Sequence, residues 1–594
     1  MLSAIARMRA PKPVVLSMDV QAELARTQPQ REQSRFEVLV RHLFDRFLNN
    51  ELMASDGESS RAAQMGITAA IPGLLVSLYL FAPYHQPGHP RLFWPQVCDH
   101  YFFVMYAMIA LGVVTVYEWD LLFPDLLDVF VLTMLPIPER RLFFARVLAV
   151  AIFLALALVG TNFLGVIFLP MVADQPSLSV HLFAHATAVA MGGCFTAGTF
   201  LALQGVLLNL LGERTFRRIT PLLQGGSITV LLTVLFLSPL LLHYLEALLN
   251  SGNRAVLWFP PFWFLGIYER LLHGQAAPQV FQSLARTGLW ATLLTSALVV
   301  VTYPLAYRRR VRQLIEGTGT MDMRSWISRP LHALLHATIL RIPAQRAIFH
   351  FVSQTVLRTQ RHRVLLAMYG GLGIAFAAAE MIVLHINGSH VQIGFLPQGI
   401  RAALPVLVFW TVAGLRTALA APVDRRGAWV FHVVQGRPTL DNLQGAKLWV
   451  VLWAFAVGLT TAAALRVVSP DTLRTPLAGI VQIIVAIGLG LLLTDKLFLK
   501  TVAVPFTALH RTSITDMPWA FVRYFVVFPI LILTLLDLEP WMEANPMHLL
   551  RIVLFVSLAH GWWSWSYARR VNEMRSGSDF EDEEQIFQGL GLRD

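Results

Sequence analysis

The feature that most limits what this chain can fold into is a series of apolar runs, each about 20 residues long, set apart by polar loops. A helix rising about 1.5 Å per residue needs that length to cross a hydrocarbon core about 30 Å thick. In the first half of the sequence the runs fall at 67–84, 100–117, 144–170, 182–211, 222–248 and 288–307. In the second they fall at 366–386, 398–420, 446–468, 475–494, 518–537 and 548–568. The chain is 56% hydrophobic and only 14% charged, whereas a soluble domain is about a quarter charged. So little polar surface cannot cover a water-exposed body of 594 residues. The expectation is an all-α polytopic membrane protein with about 12 spans.

Charge gives these spans a direction. The net charge of +11 is almost all arginine, with lysine only at Lys12, Lys447, Lys496 and Lys500. If the N-terminus lies inside, the inner loops hold Arg140, Arg141 and Arg146, then Arg214, Arg217 and Arg218, then Arg308, Arg309, Arg310 and Arg312. Further along they hold Arg425, Arg426, Arg437 and Lys447, then Lys496, Lys500 and Arg511, and finally Arg569, Arg570 and Arg575. The short outer loops hold just Arg91 and Arg474, and the long outer loop 249–287 is the exception. Excess cation on one side predicts both termini in the cytoplasm. The bases sit between spans rather than on one face, so nucleic acid is not an expected partner. Cys98 and Cys194 are too few for a disulfide framework or a cysteine-rich metal site.

The layout then divides into a cytoplasmic N-terminal segment (1–66), a first transmembrane half (67–307), a basic linker (308–365), a second half (366–568) and an acidic tail (569–594). The N-terminal segment lacks a signal-peptide pattern, so the first span is expected to be retained. In the linker, Leu331–Leu340 and Ala344–Leu357 read as amphipathic helices at the membrane interface.

The two halves share a loop pattern after their second spans. The first reads Phe123-Pro124-Asp125, then Val129-Phe130-Val131, then Pro136-Ile137-Pro138-Glu139-Arg140-Arg141, and enters the next span at Ala145-Arg146. The second reads Pro422-Val423-Asp424-Arg425-Arg426, then Trp429-Val430-Phe431, then Gly436-Arg437-Pro438, and enters its span at Ala446-Lys447. Each is a short apolar stretch stopped by proline, too short to span, and predicts a helix lying parallel to the membrane. Six spans on either side of a basic linker predict two parallel six-helix repeats.

These loops, the six-span unit and the long loop before the sixth span resemble the permeases of ABC-2-type transporters, in a tandem form. The resemblance implies an exporter in a bacterial cytoplasmic membrane, with the two inner loops docking on a separate nucleotide-binding ATPase subunit. It also implies an outer loop dipping back into the bilayer, for which Trp258-Phe259-Pro260-Pro261-Phe262-Trp263 through Tyr268-Glu269 is the match. The second half departs from this, since its loop 538–547 is short. A Walker A loop needs Gly-Lys, and none of the four lysines follows a glycine. The motor must therefore be another chain, and no enzyme activity or cofactor is expected here.

Ionisable residues inside spans are candidates by default. Glu380 and His385 are expected in the seventh span, where Glu380 binds a proton or cation or pairs with Arg416. His181 and His185 lie one helical turn apart but lack the glutamate of a zinc helix, and their place near the outer face suits unliganded histidine. His243, Tyr244 and Glu246 read as interfacial anchors or an exit lining. Glu118, Asp120, Asp125 and Asp128 are expected to pair with Arg140, Arg141 or Arg146, and Asp495 with Lys496. Trp562, Trp563 and Trp565 read as an interfacial belt. No catalytic or metal site is expected. An ion-coupled secondary transporter using Glu380, an intramembrane enzyme and a non-transporting scaffold remain as other readings.

Overall fold

The computed structural model describes residues 36–47, 58–89, 91–119, 121–124, 126–132, 134–173, 177–211, 213–253, 257–316, 335–338, 340–387, 390–420, 440–468, 476–498, 505–506 and 523–576. In the first half the helices are α1 (36–47), α2 (Glu58–Tyr84), α3 (Phe93–Tyr117), α4 (Leu126–Leu132), α5 (Glu139–Ala173), α6 (Leu178–Leu210) and α7 (Glu213–Phe236). They continue as α8 (Ser238–His243), α9 (Leu245–Asn250), α10 (Pro260–His273) and α11 (Gln279–Glu316). The second half contains α12 (Pro343–Arg358), α13 (Gln360–Met381), a hairpin of β1 (Ile382–Asn387) and β2 (His390–Phe395), and α14 (Pro397–Ala420). It ends with α15 (Leu440–Val468), α16 (Pro476–Phe498), α17 (Phe528–Ala544) and α18 (Pro546–Ser576).

Nine of the described helices are long and apolar enough to cross a membrane, with Ala69–Tyr84 a shorter apolar segment. Their outward faces carry the proof of solvent. On α11, Trp290, Leu294, Leu298, Val301 and Leu305 are exposed in a stripe three or four residues apart. α18, which is not among those nine, carries a similar exposed stripe of Leu550, Leu554, Leu558, Trp562 and Trp565. Apolar faces this continuous are not tolerated in water and are at home in lipid. The chain is a multi-pass helical membrane protein.

Several expectations need correcting. The fifth run breaks after Phe236, because Pro239 lacks an amide proton and clashes with the preceding turn. The run ends as two short helices, α8 and α9, instead of one span to residue 248. The seventh run stops at Met381; Ile382, Val383 and Ile386 are β-branched and pair antiparallel with β2, Ile382 opposite Phe395 and Asn387 opposite His390. His385 is therefore an exposed strand residue and not part of a helix. In the linker, α12 buries Ile348, Phe349, Val352 and Val356 and packs on α15, so protein covers much of its apolar face.

The packing pairs recur. In the first half α3 touches α5, α6 and α7, α5 touches α6, and α6 touches α11. In the second, α14 touches α15, α16 and α17, α15 touches α16, and α16 touches α18. The first helices differ: α2 packs on α5, whereas α13 packs on both α14 and α7. That α7–α13 contact joins the halves, with Val116, Trp119 and Ile228 against Val364. Gly371 permits the approach, since a Cβ there would lie 3.2 Å from Thr229 Cα.

Candidate functional site

Two polar assemblies stand out, at opposite ends of the first half. The one at the arginine-rich end is built around Arg146 in the first turns of α5. Its guanidinium reaches Asp128 at 3.3 Å and the carbonyl of Phe123 at 2.9 Å, and also bonds the carbonyl of Leu121. Asp128 also pairs with Arg46 of α1, which stacks its own apolar face (Leu39, Val40, Leu43, Phe47) on the bundle. Phe47 lies flat on Phe153 at 4.7 Å, beneath Arg146. The expected pairing of Asp128 with an arginine is therefore found, with Arg146 and with an unforeseen Arg46, while Arg140 and Arg141 are exposed. Glu118 is buried. A cavity of about 30 Å³ beside the pair is lined by Leu43, Pro124, Val129 and Tyr307 among others.

This bracing holds α4 in place. Val129 turns inward, while Phe130, Val131, Met134 and Leu135 are exposed, and Pro136 and Glu139 mark the exposed exit into α5. Asp125 lies outside the described residues, as do Asp120 and the whole matching loop with Asp424, Arg425, Arg426, Trp429, Phe431 and Arg437.

The second assembly is at the far end. Pro260 and Pro261 start α10, where a missing amide proton costs nothing and φ is already helical. The helix then packs between α3, α6 and α11. Phe262, Phe264, Leu265, Ile267, Tyr268 and Glu269 are all buried, so α10 is a core element and not an interfacial one, while Trp263 is partly buried and donates to the carbonyl of Leu257. Gly266 is the point of closest approach: a Cβ there would lie 2.7 Å from Leu284 Cβ and 2.8 Å from Ala285 N.

What α10 brings inside is a carboxylate and a phenol. Glu269 Oε1 is 2.7 Å from His100 Nδ1, and its Oε2 is 3.2 Å from His273 Nδ1. Tyr268 Oη is 2.8 Å from His181 Nε2 and 3.1 Å from His185 Nδ1. A hydroxyl has one proton, so it donates to one of these rings and accepts from the other. The Tyr268 ring stacks on His100 at 4.1 Å, and His100 meets His181 edge-on at 5.3 Å. Beside them Arg91 grips Asp99 in two bonds of 2.7 and 2.8 Å and lies over the Tyr84 ring. Burial alone would raise the Glu269 carboxyl, but His100 and then His273 outweigh it and hold it down to about 2. The same carboxylate lifts His273 above its ordinary value, and burial pushes the Tyr268 hydroxyl well up.

His181 and His185 are each 1% exposed and bound to Tyr268. No group of three metal-ligating side chains occurs among the described residues. Sequence reasoning missed His100 and Asp99 altogether. The available signal was their position: ionisable residues in an apolar run, on the same side as Glu269 and the histidine pair. Glu380 is exposed at the end of α13, its backbone against Gly399 at the start of α14. Arg416 lies 17 residues further along α14, about 25 Å away along the axis, so the two cannot pair. Asp495 does not pair with Lys496 but with Lys447 (3.5 Å) and His560 (2.5 Å), while Lys496 lies over Trp563. His243 and Glu246 are exposed and Tyr244 is partly buried, in the α8–α9 segment.

No family model, curated protein or solved structure matches the chain.

Proposed function

We propose that this chain is the membrane-spanning permease subunit of an ATP-driven exporter of the ABC-2 type, with two parallel six-span halves and both termini in the cytoplasm of a bacterium. The observation that carries the reading is α4. A seven-residue helix, locked at its acidic residue by Arg46 and Arg146, presents Phe130 and Val131 to solvent at the arginine-rich end. A stiffly mounted apolar knob of this kind fits a groove on a cytoplasmic ATPase and passes motion into α5, the helix that Arg146 belongs to. The recurrence of the α3–α5–α6–α7–α11 packing pairs in α14–α15–α16–α17–α18 supports the paired six-span layout. Hydrolysis falls to the partner, since no lysine here follows a glycine.

Purification from native membranes in mild detergent should bring down an ATPase with a Walker A loop. Phe130→Asp with Val131→Asp should release it and leave the membrane protein folded. Recovery of the double variant with its ATPase intact, or of wild-type protein with none, overturns the proposal.

A further inference from the structure

The connection between α13 and α14 has no charged residue anywhere from Ile382 to Phe395. Successive residues of a strand point to opposite faces, and residues paired across an antiparallel ladder share one. The register of β1 and β2 therefore sorts the hairpin into two unlike surfaces. One carries Ile382, Leu384 and Ile386 beside Phe395, Ile393 and Val391, and is apolar throughout. The other carries Val383 and His385 beside Gly394, Gln392 and His390. On that second face Gly394 leaves room for the His385 ring, which a Cβ would meet at 2.9 Å.

The apolar face is open. Ile393 is 64% exposed and Phe395 45%, while Ile382, Leu384, Ile386 and Val391 are half-buried. Among the described elements β1 and β2 pack closely only on each other. A two-stranded hairpin is marginal in water and needs a cover for its apolar side.

The position of the hairpin says what that cover is. The apolar part of α13, His362–Met381, has 20 residues, which rise about 30 Å, the thickness of the hydrocarbon core. Its first turns place Val364 against Val116 and Trp119 at the arginine-rich end, so Met381 reaches the opposite boundary of the bilayer. The foot of the hairpin is fastened at that level, where the Leu396 amide donates to the Met381 carbonyl at 2.9 Å. Strands of six residues extend about 20 Å. Standing upright, they would carry Leu384, Ile386, Val391 and Ile393 away from lipid; laid over, they set the same residues on it. Lipid is already the solvent of the exposed stripes on α11 and α18. The lack of charge removes the usual barrier to entering the interface. The outward backbone groups of a two-stranded sheet, which need hydrogen-bond partners, keep the hairpin out of the hydrocarbon interior.

We propose that this hairpin is a lipid-binding anchor, lying on the membrane surface opposite the arginine-rich end with Leu384, Ile386, Val391, Ile393 and Phe395 against the acyl chains. His385, His390 and Gln392 face water. Because α13 is the helix that joins the halves, the anchor fixes the depth of that seam in the bilayer. This goes beyond the transport reading and needs only a multi-pass body.

The test places a nitroxide on Ile393→Cys or Gln392→Cys, both exposed positions, in the full chain with Cys98→Ala and Cys194→Ser, held in phosphatidylcholine nanodiscs. The label at 393 should lie about 5–10 Å below the headgroup surface, open to oxygen and closed to a water-soluble nickel chelate. The label at 392 should be open to the chelate. Two labels that behave alike overturn the proposal. A label at 393 closed to both reagents also overturns it, since that is the mark of a protein partner or a second copy. Should the cysteine-free background fail to fold, the native chain with benzoylphenylalanine at position 393 decides. Illumination should attach phosphatidylcholine there, and a protein adduct or the lack of a lipid adduct overturns the assignment.

Discussion

The two halves mount the same kind of helix start in different ways. Arg146 and Lys447 each follow an alanine at the beginning of a span, α5 and α15. Arg146 is 3% exposed and its planar fork reaches a carboxylate and two backbone carbonyls at once. Lys447 offers a single ammonium, 3.5 Å from Asp495 and 3.8 Å from the centre of the Tyr567 ring. The far ends diverge more. The first half inserts α10 with its carboxylate and histidines; the second turns from α17 to α18 at Asn545 and carries an Arg401–Glu543 pair at 3.0 Å. Among the described residues both halves carry polar ties at both ends, but those of the first half join more partners: Arg146 holds three acceptors, whereas Arg401 holds Glu543 by two bonds.

The largest effect that would break this contrast is expected at Arg146. Arg146→Met strands the buried Asp128 beside Arg46 alone and should cost roughly 3–5 kcal/mol. Lys447→Met should cost less, because Asp495 keeps His560. Thermal unfolding of the two variants in the same detergent compares them, and equal shifts would erase the distinction.

Glu269→Gln should cost about 1.5–3 kcal/mol near neutral pH, with a pH signature. His273 is raised by Glu269, so its contribution is full below an unfolded value of about 6.5 and is lost as pH rises through its higher folded value. Glu269 is held down, so its contribution is present above about 4.3 and fades as pH falls towards about 2. The penalty of Glu269→Gln should therefore shrink from about pH 6 to about pH 9. A constant penalty would show that the pair carries no charge coupling.

Gly266→Ala drives a methyl group into Leu284 and the Ala285 backbone and should cost about 1–3 kcal/mol. Gly561→Ala on α18, where nothing lies within 4 Å of a new Cβ, should be neutral or slightly stabilising. The smallest loss belongs to Arg401→Met, which opens a partly exposed pair in the second half and should cost about 0.2–1 kcal/mol. A loss as large as that at Arg146 would mean the second half is as strongly tied at its far end as the first is at its basic end.

Local pattern carried much of this from sequence. Apolar runs gave most of the spans, arginine placement separated the two ends, and prolines 260 and 261 began a helix where an aromatic insert was expected. The pairing of Asp128 with Arg146 was legible because only 18 residues separate them. His100 and Glu269 are 169 residues apart, and no local periodicity records that contact. The hairpin after Met381 was read as helix because Ile382 to Ile386 is apolar enough to extend a span, and β-branching decided otherwise. Glu380 was misplaced for the same reason, since its depth depended on where that helix ended.

The length of α11 has a mechanical consequence. Its 38 residues make a rod of about 57 Å, nearly twice the hydrocarbon thickness. One end abuts α10, where Leu284 and Ala285 crowd Gly266; further along it meets α4. A continuous helix resists stretching along its axis because each turn is bonded to the next, and in α11 it is Pro304 that omits its backbone bond from that ladder. The two ends of the first half, on opposite faces of the bilayer, are therefore joined by a strut. A push on either arrives at the other as axial travel, with no need for the intervening side chains to rearrange.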